Sequence, residues 1–443
     1  MAIEKSYKVF VTTLGCPKNE VDSEIILRGL RDKGWEITTR LSEASTVLIN
    51  TCAFIEPARA ESIEEIYSFV HRKESGRLGS IIVTGCLAER YGALLADEIP
   101  EIDVIIGNRD VDAIPNLIIE GLQTAGTFYS APKEFSNDWY NTPTDHSEMG
   151  WGYVKISEGC DNRCSYCSIP GIKGGLRSAP IESVVNQARH LVEKGAREIV
   201  LIGQDTTAYG HDRNENLLPN LLQRISNIDG DFWIRVLYAH PAHLTDENIG
   251  AITQTPKVVP YLEVPIQHIA EPILNRMGRK IDSKGIRERI AKLRRERPEI
   301  ALRTSLIVGF PGETDEDFEE LAEYMDEGNF IHGGVFSYSR EDGTPAANFP
   351  EEVDERTIET RKQMIEMIFD GVRLNAAKAM QDKVVDVIVE RDGTRQNMLW
   401  GRTIFDAPKI DRTVRFRGSA KVGDIVRVRI MKGTEFHFLG VQE

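Results

Sequence analysis

The chain has 443 residues, too many for one hydrophobic core, so two to four domains are expected. Its 41% apolar content is ordinary, and no run approaches eighteen apolar residues, which excludes a disordered chain and a membrane-spanning helix. The net charge of −15 argues against phosphate binding by the whole surface, but residues 376–443 hold 13 Lys and Arg against 9 Asp and Glu, a net of +4 that leaves −19 for the rest.

The N-terminus, MAIEKSYKVFVTTLGC, has no apolar core followed by small residues, so no signal peptide is read and a cytoplasmic location is expected. In residues 1–130, strand patterns at 7–12, 46–50, 80–84 and 103–106 alternate with helical ones such as 21–33 and 57–73. That alternation predicts a parallel α/β sheet, which places ligands at the carboxyl ends of its strands. Cys16, Cys52 and Cys86 each follow one of these strands, and Gly15 and Gly85 precede two of them. The three positions converge on one sheet edge, where three thiolates suit a cluster; three inert core cysteines are the alternative. Residues 131–150 are polar and aperiodic and read as a linker.

Six strand patterns follow in residues 151–375, at 152–156, 198–202, 232–237, 261–265, 302–308 and 334–337, with helical patterns such as 181–194 and 315–327 between them. Six βα units predict a partial (βα)6, TIM-like barrel with its chemistry at the C-terminal strand ends. Directly after the first of these strands stands Cys160-Asp161-Asn162-Arg163-Cys164-Ser165-Tyr166-Cys167. Three thiolates in eight residues hold one face of a cubane and leave one iron open, whereas structural zinc wants four ligands and no fourth Cys or His is nearby. The tail, 376–443, has short β runs at 384–390, 414–416, 425–430 and 434–441 and predicts a small antiparallel β-barrel. Trp400 and Phe405 are expected in its core, and the basic run 287–297 as a solvated helix face. His240, His243, His268 and His332 are given no role.

The C-x3-C-x2-C spacing, with Tyr166 before the last cysteine, resembles the radical S-adenosylmethionine superfamily. Three dispersed N-terminal cysteines ahead of it and a small β domain behind it resemble the methylthiotransferase family over essentially the whole chain. Thr13-Leu14-Gly15-Cys16-Pro17-Lys18-Asn19, Ile156-Ser157-Glu158-Gly159-Cys160 and Gly401-Arg402-Thr403-Ile404-Phe405-Asp406-Ala407-Pro408 with Asp411 are similar to the branch that modifies an aspartate of small-subunit ribosomal protein S-twelve, rather than a tRNA adenosine. One departure is Lys173, where family members often carry Arg.

The resemblance implies two 4Fe-4S clusters, on Cys16, Cys52 and Cys86 and on Cys160, Cys164 and Cys167, with S-adenosyl-L-methionine at the open iron of the second. It implies cofactor contacts from Tyr166, Gly203, Gln204, Gln267, Ser305 and Gly309, and a TRAM-like, substrate-binding tail. As partners it implies the ribosomal protein or the small ribosomal subunit, and a reductant such as flavodoxin or ferredoxin, with no membrane and tRNA less favoured. The rival of another class is a non-enzymatic, RNA-binding iron–sulfur scaffold.

Overall fold

The computed structural model describes residues 7–135, 139–143, 150–393 and 397–443. Among these, no helix is long and apolar enough to cross a membrane.

The first unit contains β1 (Lys8–Thr13), α1 (Pro17–Asp32), β2 (Glu36–Ile37), β3 (Thr46–Thr51), α2 (Glu56–Glu74), β4 (Ser80–Gly85), α3 (Cys86–Glu98), β5 (Val104–Ile106), α4 (Ile114–Gly121) and β6 (Phe128–Ser130). Its sheet runs β2-β1-β3-β4-β5-β6, every pair parallel. β3 is buried along its whole length, as expected of a strand covered by helices on both faces. β2 and β6 were not read from the sequence, because two or three residues carry no periodicity. Within the expected linker, Trp139 is buried, with the Lys155 ammonium 4.6 Å from its ring; a lone aromatic in a polar stretch gives no pattern. Residues 136–138 and 144–149 of that linker lie outside the described residues.

The second unit contains β7 (Trp151–Lys155), β8 (Ser157–Glu158), α5 (Ile169–Lys173), β9 (Arg177–Ser178), α6 (Ile181–Glu193), β10 (Glu198–Ile202), α7 (Leu218–Ser226), β11 (Trp233–Val236), α8 (Asp246–Gln254), β12 (Val258–Glu263), α9 (Glu271–Met277), α10 (Ser283–Glu296), β13 (Ala301–Val308), α11 (Asp315–Asp326), β14 (His332–Ser337) and α12 (Glu355–Ala379). Six parallel strands run β14-β13-β12-β11-β10-β7, and β7 and β14 are the two edges of an open barrel. On β13, Arg303, Ser305 and Ile307 are half-buried while their neighbours are buried, the alternation of a strand with one face to helices and one to the barrel interior. The basic run falls on α10, whose cations are largely paired: Arg287 with Glu320 and Glu327, Lys292 with Asp246.

The third unit, β15 (Val384–Asp392), β16 (Met398–Thr403), β17 (Thr413–Arg417), β18 (Ile425–Gly433) and β19 (His437–Gln442), closes as β15-β16-β17-β19-β18. It is not antiparallel throughout: β17 and β19 pair in parallel, because the intervening β18 reverses the chain and the closing strand returns beside β17. Trp400 is not in the core either. It is half-buried on β16, and the guanidinium groups of Arg391 and Arg415 lie 4.7 and 5.8 Å from its ring.

The segment between β16 and β17 plugs the N-terminal end of the barrel. Glu198 pairs with Arg235 at 2.6 Å and with Arg402 at the end of β16. Asp411 accepts from Tyr261 Oη at 2.8 Å, Arg303 Nη1 at 2.6 Å and the Ala407 N–H at 2.9 Å. His332 lies 3.3 Å from both Asp406 and Asp411. Lys409 continues outward to Glu20 of α1, at 2.7 Å. Arg235, which donates to Ile404 O at 3.1 Å, Tyr261, Arg303 and His332 thus find partners on one loop and Glu198 on the strand that leads into it, which satisfies groups that are expensive to bury alone.

Candidate active site at the facing strand ends

The loop Cys160–Cys167 leaves the C-terminal end of the first barrel strand. Gly159 starts it at φ +74°, and a Cβ there would lie 2.0 Å from the Gly175 carbonyl oxygen, so only glycine fits. Cys160 N–H donates to Gly174 O at 3.1 Å, and Cys167 N–H to Cys164 O at 3.0 Å. Asn162 donates to Asp205 Oδ2 at 2.7 Å and ties the loop to the end of β10. The three cysteines line a cavity of about 740 Å³, whose far wall includes Glu89, Arg90 and Tyr91 of α3.

The N-terminal triad sits at the ends of β1, β3 and β4. Gly15, at φ +89°, packs so closely on the next loop that a Cβ would meet Cys52 Sγ at 2.8 Å. At Gly85 an added Cβ would lie 2.4 Å from Thr51 O. Asparagines hold these turns: Asn19 donates to Leu14 O and Thr51 O, and Asn50 donates to Asn19 O. Ser62 brackets Cys52, accepting from its N–H at 3.0 Å and donating to its carbonyl at 2.8 Å.

Burial pushes the thiols of Cys52 and Cys160 up to about 11, and those of Cys86 and Cys167 up to about 12. As free groups they stay protonated at neutral pH, which is wrong for a nucleophile; iron removes the proton outright. Tetrahedral zinc would hold its sulfurs about 3.8 Å apart. Among the described residues neither triad brings its sulfurs within 4.8 Å of one another; the group that does meet that limit is Asp205, His240 and His243. The wider triads, one on the single loop Cys160–Cys167 and the other on three converging strand ends, fit a multi-iron cluster.

That Asp–His group is itself occupied by hydrogen bonds. Asp205 accepts from Thr207 N–H and Oγ1, the Ala208 N–H, Asn162 and His243 Nδ1. Burial alone would raise its pKa, but the bond from His243 and the charges of His240 and His243 hold the carboxyl below the usual carboxylate range. His240 Nδ1 accepts from the Ala242 N–H at 3.2 Å, which directs its proton to Nε2.

A buried set of charges joins the two units that carry the triads. Lys155 lies 2.5 Å from both Asp22 of α1 and Glu158; Lys173, six residues after Cys167, lies 2.9 Å from Asp22 and 3.5 Å from Glu158. Burial opposes the charge on Glu158, but Lys155 and Lys173 pull its pKa far below normal. Lys173 is also the leading opposing charge on Cys86. Lys18 stands 3.4 Å over the ring of Tyr238, whose hydroxyl in turn feels Cys16. On the other barrel edge, buried Glu341 pairs with Arg90 at 2.7 Å and Arg59 at 3.5 Å.

The expected cofactor contacts divide. Tyr166 accepts from Arg279 at 3.3 Å beside Cys164. Gly203 ends β10, where a Cβ would touch Ser157 Oγ at 2.6 Å. Gln204 donates to Glu158 at 3.1 Å and keeps a buried Oε1 without a partner among the described residues. Ser305 faces the barrel interior. Gln267 spends its backbone on a bridge to β13, donating to Ser305 O at 3.0 Å and accepting from Ile307. Gly309 makes a turn at φ +74°, its N–H donating to Glu313 at 2.8 Å, and packs on Ile358 of α12.

Comparison with known proteins adds to this geometry. Residues 8–107 match the family model described as uncharacterized protein family UPF0004, residues 154–325 the radical SAM superfamily, and residues 383–442 the TRAM domain. The chain is 45% identical over 437 residues to the ribosomal protein uS12 methylthiotransferase RimO of Geobacter sulfurreducens, covering 98% of each chain. It is 41% identical to the protein of that name from Thermotoga maritima, covering 98% of this chain and 99% of the relative. Among solved structures it is similar to the radical S-adenosylmethionine methyltransferase TsrM of Kitasatospora setae, with a TM-score of 0.54, 17% identity and 77% of each chain covered. It is also similar to the cobalamin-dependent S-adenosylmethionine radical enzyme OxsB, with a TM-score of 0.53, 12% identity, and 82% of this chain and 56% of that one covered. At those identities the likeness is one of fold.

Proposed function

The chain belongs to the RimO family of ribosomal protein uS12 methylthiotransferases, and from that premise we propose that it attaches a methylthio group to an unactivated carbon of an aspartate in uS12. The observation that carries the reading is that two cysteine triads stand each at the carboxyl ends of its own parallel sheet, and that α3, which begins at Cys86, walls the cavity lined by Cys160, Cys164 and Cys167.

In this reading Cys160, Cys164 and Cys167 hold a 4Fe-4S cluster with one iron open to the amine and carboxylate of S-adenosylmethionine, and Cys16, Cys52 and Cys86 hold a second. When bound, the clusters and S-adenosylmethionine supply the one-electron chemistry that opens a C–H bond, which no side chain supplies. The chain's own residues position and enclose. Asn162 and Asp205 hold the cluster loop, while Gln204 and Ser305 offer polar atoms toward the cofactor. The Asp22–Lys155–Lys173–Glu158 set and the Glu341–Arg90 pair lock the N-terminal sheet over the barrel, which excludes water from reactive intermediates. A one-electron donor of the flavodoxin or ferredoxin kind serves the cluster at the cavity.

The test is anaerobic reconstitution of wild type and a Cys160/Cys164/Cys167→Ala variant with iron and sulfide, followed by assay with S-adenosylmethionine and reductant. About eight irons in wild type and about four in the variant, with deoxyadenosine from wild type alone, are expected. Methylthiolation of uS12 and not of tRNA completes the assignment. About four irons in wild type and none in the variant would overturn the two-cluster reading; modification of tRNA alone would overturn the substrate.

A further inference from the structure

The C-terminal turn of α9 supports the cluster loop from behind. Ser165 donates its N–H to Met277 O at 2.9 Å and its hydroxyl to Arg276 O at 2.8 Å. Gly278 ends the helix at φ +67°, and the Arg279 N–H returns to Leu274 O at 3.1 Å. The Arg279 side chain is 3% exposed. Its Nη1 donates to Cys164 Sγ at 3.4 Å and to Tyr166 Oη at 3.3 Å, its Nη2 to Pro265 O at 2.5 Å. Its Nε is buried without a partner among the described residues.

None of those acceptors is a carboxylate, and in this Arg279 stands apart. Among the described residues five arginines are buried. Arg235 and Arg402 pair with Glu198, Arg361 with Glu313, and Arg412 with Asp406. Asp205, the acid acting on Arg279 from a distance, is already saturated by Asn162, His243 and Thr207. A guanidinium taken out of water needs an opposing charge, and the groups it touches offer that charge only when Cys164 is a thiolate.

We propose that Arg279 is the fixed counter-charge of the cluster on Cys160, Cys164 and Cys167, and that it raises that cluster's reduction potential. One-electron reduction adds a unit of negative charge at the cluster. A buried cation bonded to one ligand sulfur therefore favours the reduced form, as hydrogen bonds to cluster sulfurs do. Arg279 acts through Cys164 and is a positioning residue for charge, not a contact of the substrate. The inference rests on the cluster assignment made above.

The test uses the full chain with Cys16, Cys52 and Cys86 replaced by alanine, so that one cluster remains, reconstituted anaerobically. Iron is counted, and a mediated redox titration is followed by electron paramagnetic resonance without S-adenosylmethionine. About four irons are expected in the parent. Arg279→Gln is expected to lower the equilibrium constant for one-electron reduction at least tenfold, a midpoint about 59 mV more negative. Arg279→Lys keeps the charge without the fork and should stay within tenfold of the parent. An unchanged or more positive midpoint in Arg279→Gln overturns the proposal, as does a defect confined to S-adenosylmethionine affinity. A drop beyond tenfold in Arg279→Lys overturns it too, and decides the matter even if the Gln variant assembles no cluster. A parent without iron overturns the cluster assignment and this inference with it, and the count alone distinguishes that case.

Discussion

Asp411 offers a quantitative test of the plug that closes the barrel. Its side chain is 1% exposed and meets Arg303, Tyr261, His332 and the Ala407 N–H. Burial alone would raise its pKa, but His332 and Arg303 pull it down to about 2. An unfolded aspartate titrates at about 3.9, so ionisation of this one group contributes roughly 2–3 kcal/mol at neutral pH. Asp411→Asn resembles the protonated acid and should lose about that amount; it also leaves Arg303 with Glu263 at 3.8 Å as its remaining carboxylate. Loss of one partner from a buried pair costs about 3–5 kcal/mol, and the loss here falls at or below the lower end because Arg303 keeps Glu263. Because the folded pKa is the lower one, the stabilisation is complete above about pH 4–5 and is lost as the pH falls through about 2. The advantage of wild type over Asp411→Asn should therefore fall to about half by pH 3. Urea unfolding of the cluster-free chains, followed by tryptophan fluorescence at pH 6 and pH 3, measures both quantities. A difference below about 1 kcal/mol at pH 6, or one of equal size at both pH values, would refute the reasoning.

Three further outcomes follow from other contacts. Asp22→Ala leaves Lys155 and Lys173 with only Glu158 between them, so thermal unfolding should show a loss of about 3–5 kcal/mol; a loss under about 1 would mean the set does not lock the two units. Gly159→Ala forces a Cβ against the Gly175 carbonyl and should cost the reconstituted protein about four of its irons, leaving the N-terminal cluster; a full iron count would show that the loop tolerates the side chain. Glu341→Gln breaks the pairs to Arg90 and Arg59, so amide hydrogen exchange should speed up at least tenfold in residues 339–345, and unchanged exchange would remove Glu341 from the cavity wall.

Much of the architecture was legible because the strands are long and apolar. β10 reads as a hydrophobic run after Glu198 and β3 has Val47, Leu48 and Ile49 at its centre, as buried parallel strands do. The cysteines were conspicuous because their spacing and their places after strands carry geometry directly. In the sequence the plug shows only as a run of family-like residues, with nothing to mark its place in the fold. Arg402, Asp406 and Asp411 are buried in the barrel, partnered by residues between 198 and 332 that no local pattern connects to them. Lys155 and Asp22 go unmarked in the sequence for the same reason, and Glu158 and Lys173 show there only as family positions. Each looks like an ordinary surface charge until the fold brings four of them together out of water. Arg279 is hidden further still, since its partner is a thiol rather than an acid.

The open barrel explains why the two cysteine triads share a chain. These six strands stay open, and the edges β7 and β14 remain unpaired with one another. Edges of that kind need covering. Here the cover is specific at both sides. Lys155 on β7 takes Asp22 of α1, and Glu341, just beyond β14, takes Arg59 of α2 and Arg90 of α3. Helices α1 and α3 begin beside Cys16 and Cys86, so the contacts that fasten the N-terminal sheet to the barrel edges also carry its triad to the barrel mouth. At the opposite end the C-terminal plug holds the interior polar residues, and Lys409 reaches Glu20 of the same α1. Helix α1 is therefore gripped from both ends of the barrel. Its position is set by the buried pair to Lys155 together with apolar packing, since Val21, Ile25, Ile26 and Leu30 of α1 share a core with Trp151 and Tyr153 of β7, and the charge pair fixes the register that apolar contact alone leaves free.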